Sequence, residues 1–263
     1  MSATDKRGLY KNEILKLALD ASTDRYGEYT LSINGPVVSR ARAKKLLIDG
    51  DIINLHISTG IEFFEFSSIT IRANLRKGLS SFQMLLVPFI KQDTFKDVNT
   101  LDKLKQFKAG VMPNSNLGIQ LKVAGFAVEE SHDFDGLFQM LAGQRYDFTA
   151  RGANEIYKEI ASGLPAFDSL MVVPDVAIYT PMSTYIFVSR NYPRIAERIN
   201  YGLRVIRNNG TFDEVFFNHY GEILKKADLL NRKIIVINER GNNIYENTEV
   251  WQHLKSMALE DKK

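Results

Sequence analysis

The sequence contains no cysteine. Disulfides, thiolate metal sites and cysteine nucleophiles are therefore excluded, and the redox state of the compartment leaves no mark on the composition. Histidine is scarce too: His56, His132, His219 and His253 are scattered, with no two at metal-ligand spacing within a helix. No metal or cofactor is expected. Long apolar runs are missing; stretches such as Met84–Val87 are strand-length, far short of the roughly 20 residues of a membrane span. The catalytic signatures of a serine elbow, a Walker-type phosphate loop or a His-Glu-x-x-His helix are absent as well. Glu62 and Glu65 are close, but their phenylalanine neighbours suggest a strand with alternating faces and no acid–base partner. No enzyme is expected.

A charge surplus of one sign is also wanting. Lys and Arg total 34 against 31 Asp and Glu, a net charge of +3 spread along the chain. Nucleic-acid binding would call for a basic face, and Lys103–Lys108 reads more simply as a solvated helix face. The opening Met1–Lys11 is polar and lacks the apolar core of a secretory signal. Two cases remain open: a cytosolic protein, or a secreted one without its signal.

What is present is ordinary globular material, 44% hydrophobic and 25% charged over 263 residues, enough for one large core or two modest ones. Tyr10–Ala21 places Ile14, Leu15, Ala18 and Leu19 on one helical stripe. Tyr29–Ile33 alternates like a strand, Ser39–Ile48 reads as a basic-faced helix stopped at Asp49-Gly50, and Ile52–Ile57 as a buried strand. This order predicts parallel pairing with right-handed crossovers. Strands are then expected at Phe82–Ile90, Gly110–Met112, Tyr146–Thr149, Leu170–Val173, Tyr185–Val188 and Ile234–Ile237. Helices are expected at Thr100–Lys108 with Thr100 as N-cap, after Pro113–Asn116, at Ser131–Ala142, Ala153–Ala161, Tyr192–Asn208, Gly210–Tyr220 and Glu222–Leu230, and around Trp251. Two α/β regions without a linker suggest two lobes, with crossings near Val87–Gln92 and Ala177–Tyr185.

Four stretches carry a resemblance: Tyr10–Ala21 (YKNEILKLALDA), Arg72–Val87 (RANLRKGLSSFQMLLV), Asp135–Glu155 (DGLFQMLAGQRYDFTARGANE) and Arg198–Gly221 (RINYGLRVIRNNGTFDEVFFNHYG). In this order they resemble bacterial extracellular solute-binding proteins of the amino-acid-binding type, family 3, in their transporter substrate-binding-like branch. The resemblance implies an α/β, type II periplasmic-binding-protein fold, two α/β lobes with a ligand cleft between them. Residues 1–90 and 180–263 would form lobe one, and 91–179 lobe two. Family members carry a strand before the first helix; Met1 falls about where it ends, so the resemblance implies that this strand is missing. It further implies a monomer in the periplasm that closes like a Venus flytrap on a small solute, amino-acid-like or an organic anion. A membrane permease complex of an ABC transporter would then receive the solute. A sensing module uncoupled from transport is the alternative, and an enzyme on the same fold a second.

Ligands in open α/β sheets sit beyond the carboxyl ends of strands. That singles out the loops after Leu55, Met112 and Phe148. The first offers His56, Ser58 and Thr59, which can orient a polar ligand or merely cap the next segment. The second offers Asn114 and Ser115 before a helix whose free N–H groups suit an anion, or a plain N-cap. The third holds Arg151 and Asn154. Relatives that bind ordinary amino acids have an Asp near Arg151, and their usual lobe-one arginine is displaced here, since Ile61–Phe66 reads IEFFEF. Arg72 and Lys77 match the branch pattern instead. A polar or anionic solute clamped by Arg151 and Arg72 is the resulting expectation, against an Arg151–Glu155 pair at helical spacing. Tyr179 and Tyr185 would stack on the ligand or pack between lobes.

Overall fold

The computed structural model describes residues 8–33, 40–59, 64–237 and 244–260. Its elements in chain order are α1 (Leu9–Asp20), α2 (Thr23–Tyr26), α3 (Arg40–Asp49), β1 (Leu55–Thr59), β2 (Ile69–Ile71), β3 (Phe82–Pro88), α4 (Gln92–Lys96), α5 (Leu101–Leu104) and β4 (Ala109–Val111). There follow α6 (Asn116–Val123), β5 (Val128–Glu130), α7 (Phe134–Ala142), β6 (Phe148–Gly152), α8 (Ile156–Ile160), β7 (Leu170–Tyr179) and β8 (Thr184–Val188). The last are α9 (Pro193–Asn208), α10 (Thr211–Ala227), β9 (Lys233–Val236) and α11 (Glu249–Glu260). The chain divides into two compact units, Met1–Arg76 with Ser183–Gly221, and Lys77–Met182 with Glu222–Lys263.

In the first unit α1 buries Tyr10, Ile14, Leu15, Ala18 and Leu19, the stripe its apolar period predicts. It packs on α9, which buries Ala196, Ile199, Gly202, Leu203 and Ile206. Gly202 permits the close crossing, because a Cβ built there would lie 1.7 Å from the Ala18 carbonyl oxygen. The sheet is three-stranded, in the order β1-β8-β2, and both pairings are antiparallel. Leu47, Phe64 and Phe187 form its apolar cluster, with Ile53 and Tyr185 against it.

The second unit carries a six-stranded mixed sheet in the order β5-β4-β6-β3-β7-β9. β3 is buried at every residue, as expected of a central strand covered on both faces. Leu85, Val87, Phe95, Leu104, Phe148 and Ile235 belong to one apolar core around it. Three of its helices, α5, α6 and α7, start on side-chain caps: Thr100 accepts from the Lys103 N–H at 3.3 Å, Ser115 from Gly118 at 3.1 Å and Asp133 from Gly136 at 2.7 Å. Asp133→Ala is expected to cost about 1 kcal/mol, read as a shift in the urea midpoint.

Several expectations are corrected. The first unit has antiparallel rather than parallel pairing, because β8 returns late in the chain and lies between β1 and β2. Tyr29–Ile33 is not a strand. Arg198 holds the chain just before it, donating to Gly27 O at 2.6 Å and Glu28 O at 3.4 Å, with its guanidinium 4.9 Å from the Tyr29 ring. Pro174 does not end its strand, since β7 continues to Tyr179 past an irregular pairing with β3 between Met84 and Leu86, where a missing N–H is tolerated. Gly221 does not divide two helices, because α10 runs through it with Phe216, Tyr220, Ile223 and Leu224 buried on either side. The first crossing lies at Arg76/Lys77, not near Val87–Gln92, and a further one falls at Gly221/Glu222. Residues 222–263, expected with residues 1–90, cluster with Lys77–Met182, because β9 pairs in parallel with β7. Of the stretch Ile61–Phe66, residues 61–63 lie outside the described residues, and Phe64 and Glu65 are helical. Residues 34–39, which include the expected start of the second helix, also lie outside them.

Candidate functional site

Strand directions fix where the polar groups of the second unit gather. β5, β4 and β6 are mutually parallel, β6 and β7 both run antiparallel to β3, and β9 is parallel to β7. The carboxyl ends of five strands and the amino end of β3 therefore share one edge of the sheet. That is the edge at which open α/β sheets bind ligands. Asn114 and Ser115 follow β4, Ser131 follows β5, Arg151 to Asn154 end β6, Ser80 and Ser81 precede β3, and Tyr179 and Thr180 end β7. Ser80, Ser81, Gln83, Ser131, Asn154 and Thr180 are all buried. Buried polar groups are costly unless bonded, so their concentration at one edge needs an account.

Most have partners. Ser81 Oγ accepts from the Met182 N–H at 2.9 Å, the Thr180 N–H donates to Ser81 O at 2.9 Å, and Gln83 Nε2 donates to Ser80 O at 2.7 Å. The Thr180 hydroxyl is fully buried and has no partner among the described residues. Asn154 lies against the backbone of Gly152, where a Cβ would come within 2.8 Å of its Oδ1, so a side chain at 152 would displace the amide. Asn114 is exposed in the left-handed region at φ 55, which asparagine tolerates better than most residues. Ser115 is the N-cap of α6, so the capping alternative is the one observed.

Arg151 is a strand residue opposite Met84 rather than a loop residue, because β6 extends to Gly152. Its Nε donates to Glu159 at 2.9 Å and its Nη2 to Glu155 at 3.1 Å and to the other Glu159 oxygen. The pair with Glu155 at helical spacing is thus present, joined by a second carboxylate the sequence reading did not include. Burial alone pulls the guanidinium pKa down; the two carboxylates more than offset this and leave it raised. The Phe134 ring centroid lies 5.4 Å from the same guanidinium. An incoming anion would have to compete with two carboxylates for it.

In the first unit the expected loop after Leu55 is strand β1, since His56, Ser58 and Thr59 pair with Phe187, Tyr185 and Thr184 of β8. The His56 ring lies 5.0 Å from Phe64, and Ser58 Oγ is 3.2 Å from Thr59 O. Arg72, just beyond β2, forms an ion pair with Glu65. The carboxyl ends of β1 and β2 lie together at the amino end of β8. Arg72 and Arg151 fall in different units. Tyr179 packs within the second unit against Phe82 at 5.2 Å and Tyr245 at 5.9 Å, whereas Tyr185 packs against the Leu47–Phe64–Phe187 cluster of the first.

Sequence reasoning missed Ser80, Ser81, Gln83 and Thr180. The available signal was a serine pair and a glutamine leading into an otherwise apolar run, Phe82–Val87. Among the described residues no group of three His, Asp or Glu is placed to hold a metal ion, and no helix is long and apolar enough to cross a membrane.

No family model matches the chain, and no curated protein matches it in sequence. Among solved structures it is similar to an ancestral arginine-binding protein bound to arginine, at 18% identity and TM-score 0.55, covering 79% of this chain and 87% of that one. It is also similar to the GluR0 ligand-binding core in complex with L-glutamate, at 13% identity and TM-score 0.56, covering 80% and 88%. A histidine kinase sensor domain with similarity to periplasmic binding proteins matches at 14% identity and TM-score 0.54, covering 81% and 86%. The fold is therefore the α/β fold of the type II periplasmic binding proteins. Two of these neighbours are described with a bound amino acid, arginine in one and L-glutamate in the other.

Proposed function

We propose that the chain is a solute-binding protein that takes a small polar molecule, amino-acid-like or an organic anion, by hinge closure of its two units. The observation that carries this reading is the edge of buried polar side chains, Ser80, Ser81, Gln83, Asn154 and Thr180, where the amino end of β3 meets the carboxyl ends of the second unit's other strands. On this reading the solute contacts that edge together with Asn114 and Ser115 from one unit, and His56, Ser58, Thr59 and Arg72 from the other. A ligand touching both units stabilises the closed state over the open one. Arg151 is available to an anion only if Glu155 or Glu159 gives way, so a neutral or zwitterionic group suits that end of β6 better. Delivery to a membrane permease outside the cytoplasm is the role this reading favours. The likeness to a kinase sensor domain supports the second reading, in which closure is sensed rather than used for transport.

A thermal-shift screen of the folded chain against amino acids, organic acids, peptides and sugars tests the proposal. Saturation at a hundredfold over the dissociation constant is expected to add about 2.7 kcal/mol to the folded state. Melting temperature should rise with one solute class and rise less in a Thr180→Val, Gln83→Leu variant. No rise with any class would reject solute binding.

A further inference from the structure

The chain passes between its two units three times, at Arg76/Lys77, Met182/Ser183 and Gly221/Glu222. On the first unit's side the three exits are tied together. The buried Arg76 guanidinium donates to the Tyr220 hydroxyl at 3.1 Å and to the Thr184 hydroxyl at 3.4 Å. The Leu75 N–H donates to Thr184 O at 3.0 Å. The first passage leaves this knot through Lys77 and Gly78, both in the left-handed region at φ 53 and 90. The third leaves it inside a helix, because α10 runs without a break from Thr211 to Ala227.

Each unit grips its own part of α10. In the first, Tyr220 packs on Tyr10 at 5.0 Å between ring centroids, and His219 Nε2 lies 2.7 Å from Glu13 Oε2. In the second, the Tyr157 hydroxyl donates to Lys226 O at 2.9 Å and Arg232 Nε to Ala227 O at 2.5 Å. Gly221 stands between the two grips, at the passage itself. Glycine has the weakest helix preference of any residue but proline, so its place in a helix interior needs a reason. Packing supplies one at Gly202, where Ala18 leaves no room, but a Cβ at Gly221 would meet nothing within 4 Å. We infer that α10 bends at Gly221 when the units close, so that this glycine is a pivot inside a helix. Sharp helix bends have local causes, and a residue without a Cβ yields most easily. The inference rests on the hinge-closure reading above, and it names where that motion is absorbed.

Pulsed electron double resonance on the intact chain tests this. The chain has no cysteine, so spin labels attach only where one is introduced. Glu197→Cys in the first unit and Gln139→Cys in the second are both at exposed positions. Without solute this pair is expected to give a broader distance distribution than a pair within the second unit, Asp102→Cys with Gln139→Cys. Gly221→Ala is expected to narrow the distribution and to slow amide exchange over Glu222–Lys225 about fivefold. Asn218→Ala, at an exposed position of the same helix, also raises helix propensity and is expected to leave the width unchanged. A broad distribution that Gly221→Ala leaves as it was, or that Asn218→Ala narrows equally, overturns the inference while hinge closure stands. A distribution no broader than that of the pair within one unit overturns both.

Discussion

Gly202→Ala is expected to destabilise the chain by about 3 kcal/mol or more, the upper range for overpacking. The new methyl would lie 1.7 Å from the Ala18 carbonyl oxygen and 2.5 Å from its carbon, both backbone atoms of α1 that cannot swing aside. Relief requires α1 and α9 to separate, which exposes Ile14, Leu15, Ile199 and Leu203, all buried at present. The same substitution at Gly221 has the opposite sign. No atom lies within 4 Å of a Cβ there, and Gly221 is inside α10. Gly221→Ala is accordingly expected to add about 1 kcal/mol through helix propensity. Urea denaturation of the two variants beside the parent chain measures both, and equal effects would contradict the close helix crossing.

Arg151→Ala is expected to cost about 2 to 3 kcal/mol, somewhat less than the loss from a fully buried pair. It would leave Glu155 and Glu159, 27% and 11% exposed, facing each other without their cation. Replacing the whole group, Arg151→Met with Glu155→Gln and Glu159→Gln, should recover most of the loss, because no uncompensated charge then remains. The substitution also separates two roles. If Arg151 only holds α8 to β6, the alanine variant binds solute with unchanged affinity once stability is accounted for. If it clamps an anion, affinity falls while the Glu→Gln changes raise it.

Periodicity made the helices legible. The stripe Ile14, Leu15, Ala18, Leu19 and the spacing Ile195, Ile199, Leu203, Ile206 predict faces that the structure buries, except that Ile195 is only half-buried. Pairing was less legible, because local order says little about partners far along the chain. β8 reaches β1 and β2 only after more than a hundred residues, and β9 joins β7 from the tail. Short strands also escaped: Ile69–Ile71 and Val128–Glu130 are three residues each, too few to show alternation. Of the candidate site, Asn114, Ser115, Arg151, Asn154 and Tyr179 fall at one edge of the second unit's sheet. Ser81, Gln83 and Thr180 stayed hidden because burial, not residue type, distinguishes them from surface polar residues. Arg151 illustrates the limit of residue type alone: its guanidinium suits anions in general, but Glu159, eight residues on, already holds it.

Chemical-shift mapping on the isotope-labelled chain, titrated with the solute that raises its melting temperature, tests the central claim most directly. The account predicts saturable shifts at Ser81, Gln83, Ser115, Asn154 and Thr180, together with residues around Thr59 and Arg72. Shifts confined to other surfaces, or none from a well-dispersed folded spectrum, would contradict it.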